Sequence, residues 1–342
     1  MVSISGLKFA NARSFGNYGG CMQSRASLYL SNMVFDGCIY EGRDGFVAGW
    51  GGGLIVFGST TRRPSVSMTD VTFSNNKALL GTVITETSAA GGFVLGGNST
   101  AALSAVVLRN VTVNNNEAQN AGGARISGAR SVAIVNSSFT ANQATALGMG
   151  AWTGTVDGVF NGTVNVENSF LGRAVAGRTR NDAVYIFDPS KLTLTNTLIE
   201  DTGGPASAQC NTNGNRCNVD AKLDALANNG GPTQTMRLLP GSPAIDIGSN
   251  STALTTDQRG AARMEGAATD IGAYETPSGS SAQCKLDMDA DNLVTAMKEG
   301  LVLLRSMLGY TSAATTANTG ITQGQWDAVR VNLNANCGTS LP

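Results

Sequence analysis

The chain has 342 residues, of which 43 are glycine and only 14% are charged, and it contains no histidine. The lack of histidine excludes Ser-His-Asp and Cys-His catalysis and His-ligated zinc. A net charge of −1 provides no basic surface for nucleic acid, and a hydrophobic content of 42% is too high for a disordered chain.

An internal repeat runs through the first two thirds of the chain. In each copy, apolar residues two apart lead to a turn-forming residue, and two more apolar positions follow it. One copy has Val106, Leu108 and Val111 around Asn110. Apolar residues at every second position, many of them β-branched, predict strands and exclude a helix. Asn, Asp and Gly tolerate the positive φ that a corner between two strands requires. The candidate corner residues after the first copy are Asn32, Asp70, Asn110, Asn136, Asn168 and Asn196.

A third strand precedes most copies and begins with paired glycines, as at Gly52-Gly53 and Gly91-Gly92. Three strands per repeat, each stacked on its equivalent in the next, predict an all-β protein: a right-handed parallel β-helix of about seven coils over residues 1–205. The corner residues are expected to stack as an asparagine ladder. The variable spacing between copies is interpreted as loops inserted at one corner. A β-sandwich is the alternative, but it predicts hairpin turns.

Two of these motifs resemble a known family. Gly122-Gly123-Ala124, together with Phe-x-x-Asn at 73–76 and 139–142, resembles the repeats of bacterial polymorphic outer-membrane proteins and related secreted β-helices. The resemblance covers about residues 1–205. It implies a secreted protein, either extracellular or on the bacterial cell surface.

The six cysteines fall into three pairs that are close in sequence. An even number without a CxxC motif favours disulfides over a metal cluster, and disulfides indicate an oxidising compartment. Six buried free thiols are the alternative. The expected pairs are Cys21 with Cys38, Cys210 with Cys217, and Cys284 with Cys337.

Residues 206–275 are rich in Gly-Pro turns and scattered apolar residues. They resemble the choice-of-anchor segment of bacterial surface proteins. We expect an irregular cap here, because the last coil would otherwise expose unpaired backbone groups. Its charged residues predict an ion-paired brace rather than a reactive site: Asp257, Arg259, Arg263 and Asp270. A linker rich in Ser and Gly follows at 276–283.

Residues 284–342 predict a small α-helical module with helices over Gly300–Leu308 and around Gln325–Leu333, and with Trp326 in its core. This module resembles a dockerin. Acidic residues at alternate positions are typical of a loop that binds Ca²⁺. The candidate ligands are Asp287, Asp289, Asp291, Thr295 and Glu299.

The calcium pattern departs from its family in two places. Asn292 replaces the usual glycine, and Lys298 stands where the bidentate acid belongs. Calcium is therefore one interpretation, and a capping Asp cluster at a helix N-terminus is the other.

These observations favour a non-catalytic extracellular or cell-surface protein, either an adhesin or a subunit of a matrix or filament. Its expected partners are an extracellular polysaccharide or another surface protein, with head-to-tail self-association through the open first coil as a further hypothesis. Nucleic acid is not an expected partner, and no transmembrane helix is predicted.

The alternative function is a polysaccharide lyase or glycoside hydrolase, since many right-handed β-helices have those activities. The insertions carry the weak catalytic candidates for it, which are Asp44, Arg178, Arg180 and Asp182. They form no repeated set of acids across neighbouring coils.

Overall fold

The computed structural model divides into two compact units, Met1–Glu275 and Thr276–Pro342. It describes residues 1–15, 20–42, 51–59, 61–79, 90–96, 103–149, 162–172, 184–186, 188–200, 204–277, 288, 297–336 and 341. The first unit consists mainly of parallel strands, and the second contains the α-helices.

The strands of the first half are β1 (Val2–Ser5), β2 (Lys8–Ala10), β3 (Arg13–Phe15), β4 (Met22–Ser24), β5 (Leu28–Asp36), β6 (Ile39–Glu41), β7 (Leu54–Phe57), β8 (Val66–Ser74), β9 (Lys77–Leu79), β10 (Phe93–Gly96) and β11 (Val106–Asn114). Those of the second half are β12 (Glu117–Ile126), β13 (Ser131–Val135), β14 (Ser138–Thr140), β15 (Gln143–Met149), β16 (Thr163–Glu167), β17 (Phe170–Leu171), β18 (Val184–Ile186), β19 (Leu192–Thr195), β20 (Leu198–Ile199) and β21 (Arg216–Cys217).

These strands stack in parallel into a 12-stranded and a 9-stranded sheet. Each strand pairs with its equivalent one repeat later, so that Leu30 lies beside Met68 and Met68 beside Leu108. Parallel neighbours separated by a whole repeat require a chain that winds in one direction, and such crossovers are right-handed. The predicted right-handed parallel β-helix is thus confirmed.

The second to fifth coils each have four strand segments rather than the expected three. In the third coil these are β7, the two halves of β8 on either side of Asp70, and β9. The segment that the repeat did not predict is β9, where only Ala78 of the three residues is buried. A three-residue strand with one inward side chain carries too little alternation to be recognised in a sequence.

The insertions enter at two places in the coil and not at one. Residues 80–92 separate β9 from β10, and residues 97–105 separate β10 from β11. Where no long insertion separates them, the equivalents of β9 and β10 form one continuous strand, as in β12. The repeat length therefore varies without any change in the stacked strands.

The paired glycines follow from how closely adjacent coils approach. A Cβ on Gly91 would lie 2.5 Å from the backbone nitrogen of Glu117 and 2.5 Å from the carbonyl oxygen of Gly122. Real Cβ atoms do not come that close to backbone atoms, so any other residue would push the coils apart.

The core is a continuous stack of inward side chains. One row contains Leu30, Met68, Leu108 and Ile134, all fully buried. Aromatic residues at equivalent positions of neighbouring coils also stack inside the core: the ring centroids of Phe35 and Phe73 are 4.7 Å apart. Burial of such rows is the main stabilising contribution in a fold of this kind.

The last coil is covered by residues 204–217, which include a 3₁₀ turn at Gly204–Gln209. Ala206 packs into the core. The side-chain amide of Gln209 donates to the carbonyl of Leu192 and accepts the amide of Leu194, each at 2.8 Å. The Gln209 side chain thereby satisfies backbone groups of β19 that would otherwise form an open sheet edge.

Residues 218–275, which we call the lateral segment, do not cover this end. The sequence-based prediction placed all of 206–275 there. Instead, the lateral segment lies along the side of the coils, with contacts to Thr72, Thr112 and Asn168.

The second unit contains α1 (Glu299–Met307), α2 (Ala313–Thr316) and α3 (Gln323–Asn336). The two predicted helices are present. Trp326 is 1% exposed and packs with Val302 and Leu333, so its predicted core position is correct. Within the described residues, no helix is long and apolar enough to span a bilayer.

Candidate functional site

The predicted corner residues all lie in left-handed backbone, with φ between 45° and 57°. They are Asn32, Asp70, Asn110, Asn136, Asn168 and Asn196. Side-chain hydrogen bonds join only some of them along the axis. Asn110 Nδ2 donates to Asp70 Oδ1 at 3.0 Å, and Asn168 Nδ2 donates to Asn136 Oδ1 at 2.7 Å. Between these pairs the row is interrupted, because Asn136 Nδ2 has no hydrogen-bond partner among the described residues.

A second and more regular ladder lies one corner further along each coil. Asn76, Asn116 and Asn142 are fully buried, and the Oδ1 of each accepts the backbone amide of the coil before. Sequence reasoning missed its role, although Phe-x-x-Asn was the signal. The Phe enters the core, and the Asn three residues later follows a corner with positive φ, such as Asn75.

The lateral segment covers the outer face of the strand segment that follows the corner residue, as at Thr72 in the third coil and Thr112 in the fourth. Gln258 is fully buried and bridges two coils. Its Nε2 donates to Thr72 Oγ1 at 2.8 Å, and its Oε1 accepts from Thr112 Oγ1 at 2.6 Å. These threonines point away from the core, so the segment turns an outer face into an interior.

Apolar contacts continue this cover towards the last coil. Phe170 and Leu198 point outward from β17 and β20, and both are buried against Leu238, Ile271 and Tyr274 of the lateral segment. A second small core thus lies outside the β-helix. Together with the Gln258 contacts, it holds the segment against several coils.

Buried charged side chains form contacts within the lateral segment and stabilise its fold. Arg259 forms an ion pair with Asp257 at 2.7 Å and lies over the ring of Tyr274 at 3.8 Å. Arg263 donates to the carbonyls of Asp270 and Gly272, at 2.8 and 2.7 Å. These contacts match the ion-paired brace that the sequence predicted.

Two carboxyl groups in this region have strongly perturbed titration. Burial raises the pKa of Glu275 to about 7, against the opposing effect of the Asp270 amide that donates to it. Burial also raises the pKa of Asp70 to about 6; the Asn110 amide opposes this shift, and the charge of Asp257 adds to it. Burial is the dominant cause in both cases.

The carboxylates on the coils are used in structural contacts. Asp36 pairs with Lys8 at 3.1 Å and accepts from Ser74 and Asn75. Glu117 pairs with Lys77 at 3.0 Å. Three more of the described coil acids have similar contacts: Glu41 with Arg13, Glu167 with Ser251, and Asp188 with Ser190.

No convergent set of metal-binding acids is seen in the part of the chain that the structure describes. Groups of three or more Cys, Asp or Glu side chains with metal-binding geometry are absent from it. The arrangement of the described coils is that of a braced scaffold, with acids spaced singly.

Arg125 lies on the outer face of the described coils and has a lowered pKa. It follows Ala124 in β12, next to Val94 of β10 in the sheet register. Burial lowers the pKa of its guanidinium to about 10. Sequence reasoning did not select it, because a single Arg in a strand carries no pattern.

Several predicted residues lie outside the described residues: Asp44, Arg178, Arg180, Asp182, Asp287, Asp289, Asp291, Thr295, Cys284 and Cys337. Glu299, the remaining calcium candidate, is the first residue of α1 and is buried. The disulfides Cys21–Cys38 and Cys210–Cys217 are present, which confirms two of the three predicted pairs.

No protein-family model and no curated protein matches this chain. Among solved structures, the crystal structure of pectate lyase Pel9A is similar at 12% sequence identity and a TM-score of 0.26. The alignment covers 80% of this chain and 87% of that chain. A similarity this distant carries no information about activity or substrate.

Proposed function

We propose that this chain is a non-catalytic extracellular or cell-surface protein whose β-helix acts as a rigid binding scaffold. The observation that carries the proposal is the use of the coil carboxylates in structural contacts, such as Asp36 with Lys8 and Glu117 with Lys77. A glycosidase needs two carboxyl groups at a defined separation with their pKa values set apart. The described coil surface outside the lateral segment offers no such pair.

The face that we assign to binding is formed by the strand segment that precedes the corner residue in each coil, because the lateral segment covers the segment after that residue and leaves this one open. Its outward residues are mostly small and polar: Ser3, Tyr29, Ser67, Val107, Ala133, Asn165 and Thr193. Tyr29 is 40% exposed. An exposed aromatic ring among hydroxyl and amide groups suits a neutral polysaccharide or another surface protein.

A panel of neutral and acidic polysaccharides tests this proposal. Binding would be measured by calorimetry, and cleavage by the rise in ultraviolet absorbance of unsaturated products and by release of reducing ends. We expect binding without cleavage, and weaker binding for Tyr29→Ala. Tyr310→Ala is the matched control, since Tyr310 is 50% exposed on the second unit. Cleavage of any polymer would overturn the proposal.

A polysaccharide lyase is the second candidate, and Arg125 is the observation that favours it. A lyase must remove a proton next to a carboxylate, and a guanidinium with a lowered pKa, about 10 here, is closer to serving as a base than an ordinary one. In this case, Arg125→Lys would abolish the formation of unsaturated products. Wild-type protein that forms none would exclude the candidate.

The two disulfides support secretion into an oxidising compartment. We also propose that the second unit binds Ca²⁺, on the spacing of Asp287, Asp289 and Asp291 alone. Calorimetric titration of the full chain with calcium tests this, with Asp287→Asn as the control. An absence of heat at millimolar calcium would exclude the site. Head-to-tail self-association would appear as growing particles in concentration-dependent light scattering.

A further inference from the structure

The contact between the lateral segment and the coils contains more acids than bases. Among the described residues, four carboxyl groups lie close together there, and two guanidinium groups accompany them. The acids are Asp70, Asp257, Asp270 and Glu275, and the bases are Arg259 and Arg263. All except Asp70 and Arg259 are no more than 1% exposed. If every group were ionised, this largely dry cluster would carry two negative charges in excess.

Excess charge in a buried cluster costs free energy unless protons neutralise it. Asp257 is neutralised by its ion pair with Arg259. Glu275 has a longer contact, since its Oε2 lies 3.8 Å from Arg263 Nε. Among the described residues, the side chain of Asp70 has the neutral Asn110 amide as its hydrogen-bond partner, and it faces the charge of Asp257. Asp70 and Glu275 are therefore the two groups that bind the neutralising protons.

We propose that the lateral segment is an acid-locked strap: protonation of Asp70 and Glu275 holds it on the coils, and it loosens as the pH rises through neutrality. Asp70 is on the coil, and Asp257 is on the strap. When both are charged, they repel each other across the contact. Ionised Glu275 likewise repels Asp270 within the strap.

The direction follows from the titration of the two acids. Each has a pKa that burial raises above the ordinary value, to about 6 for Asp70 and to about 7 for Glu275. The folded state therefore holds these protons more tightly than the unfolded state. Their stabilising contribution is complete below the ordinary pKa values and is lost as the pH rises through about 6 and then about 7.

The charged groups that face these acids from each packed element are few. From the strap, Asp70 faces Asp257, which Arg259 already pairs. Glu275 faces Arg263 and Asp270, and its two oxygens accept the backbone amides of Asp270 and Glu265. From the coils, Asn110 donates to Asp70.

The absence of histidine makes this response easy to assign. Histidine is the side chain that normally titrates between pH 5 and 8, and this chain has none. The described cysteines are all in disulfides. A pH-dependent change within the strap over that range consequently points to Asp70 and Glu275.

Hydrogen exchange of the full chain tests the proposal. Peptides within 218–275 would be followed from pH 5 to pH 8, with correction for the intrinsic pH dependence of exchange. We expect the opening equilibrium of the strap to rise by at least about tenfold across this range, since both pKa values lie well above the ordinary ones and one pKa unit corresponds to a factor of ten. Peptides of β13 and β16 should change much less.

Variants identify the groups responsible. Asp70→Asn and Glu275→Gln imitate the protonated forms, so each should remove part of the pH response, and the double variant should remove most of it. Asp224→Asn is the matched control, since Asp224 is an exposed acid of the same segment whose pKa its pairing with Arg237 lowers. Wild-type exchange that does not change with pH would overturn the proposal, whether or not the variants fold. An unchanged pH response in Asp70→Asn and Glu275→Gln would also overturn it.

Discussion

The side chain of Asn116 donates to Oδ1 of Asn142 at 3.0 Å, although 26 residues separate the two in sequence. The same Nδ2 donates to the carbonyl of Phe73, and Oδ1 of Asn116 accepts from both nitrogens of Asn76. One buried amide thus satisfies groups of three successive coils. This row of amides, and not the predicted corner row, supplies the continuous polar ladder of the described coils.

We expect Asn116→Ala to lower the free energy of unfolding by about 2 to 4 kcal/mol, because it leaves several buried polar groups without partners. The measurement is urea denaturation of the full chain, followed by circular dichroism. Asn165→Ala is the control, since Asn165 is exposed on β16. Equal effects of the two substitutions would show that the ladder does not stabilise the coils.

Gly91→Ala should prevent the close stacking of adjacent coils at this position. The added Cβ would lie 2.5 Å from backbone atoms of Glu117 and Gly122, and neither is the end of a flexible side chain. We expect a loss of several kcal/mol or insoluble protein. In Gly324→Ala, by contrast, the new methyl group meets no atom within 4 Å, so this control should remain folded. A soluble Gly91→Ala protein with an unchanged thermal midpoint would contradict the close-approach explanation.

Thr112→Val should weaken the attachment of the lateral segment. It removes the hydroxyl that donates to Gln258 Oε1 at 2.6 Å and leaves that buried oxygen without this donor. We expect a cost of about 1 to 3 kcal/mol in equilibrium unfolding. Thr193→Val makes the same change on an exposed strand position and should be neutral within about 0.5 kcal/mol. A neutral Thr112→Val would show that the Gln258 bridge contributes little.

Removal of the Cys21–Cys38 disulfide should destabilise the first coils. The two cysteines are 17 residues apart, and in the chain-entropy model a loop of that length corresponds to about 3 kcal/mol. Cys210 and Cys217 are only 7 apart, which corresponds to about 2 kcal/mol. Thermal unfolding of the paired Cys→Ser variants would measure both. The order of the two effects is the critical result, and a larger loss for Cys210/Cys217 would contradict the loop-length argument.

The repeat could be recognised because its determinants are local. Alternation at Val106 and Leu108 points both side chains inward, and Asn110 adopts the φ of 52° that the corner needs. The segment at β9 has only one inward residue, so it gave no such signal. Ladder bonds at Asn136 also could not be predicted, because they depend on the exact rise and side-chain rotamer between coils.

The coil architecture, the corner residues and two disulfides could be predicted from the amino-acid sequence, because each depends on residues close in the chain or on a regular repeat. The position of residues 218–275 and the acids that share a buried cluster depend on contacts between residues far apart in the chain. Thr112 and Gln258, for example, are 146 residues apart and belong to no repeat. The absence of histidine excludes several catalytic mechanisms, and this follows from the sequence alone. Its second consequence, a pH response assignable to Asp70 and Glu275, required the contacts that bury those carboxyl groups, since burial is what raises their pKa values.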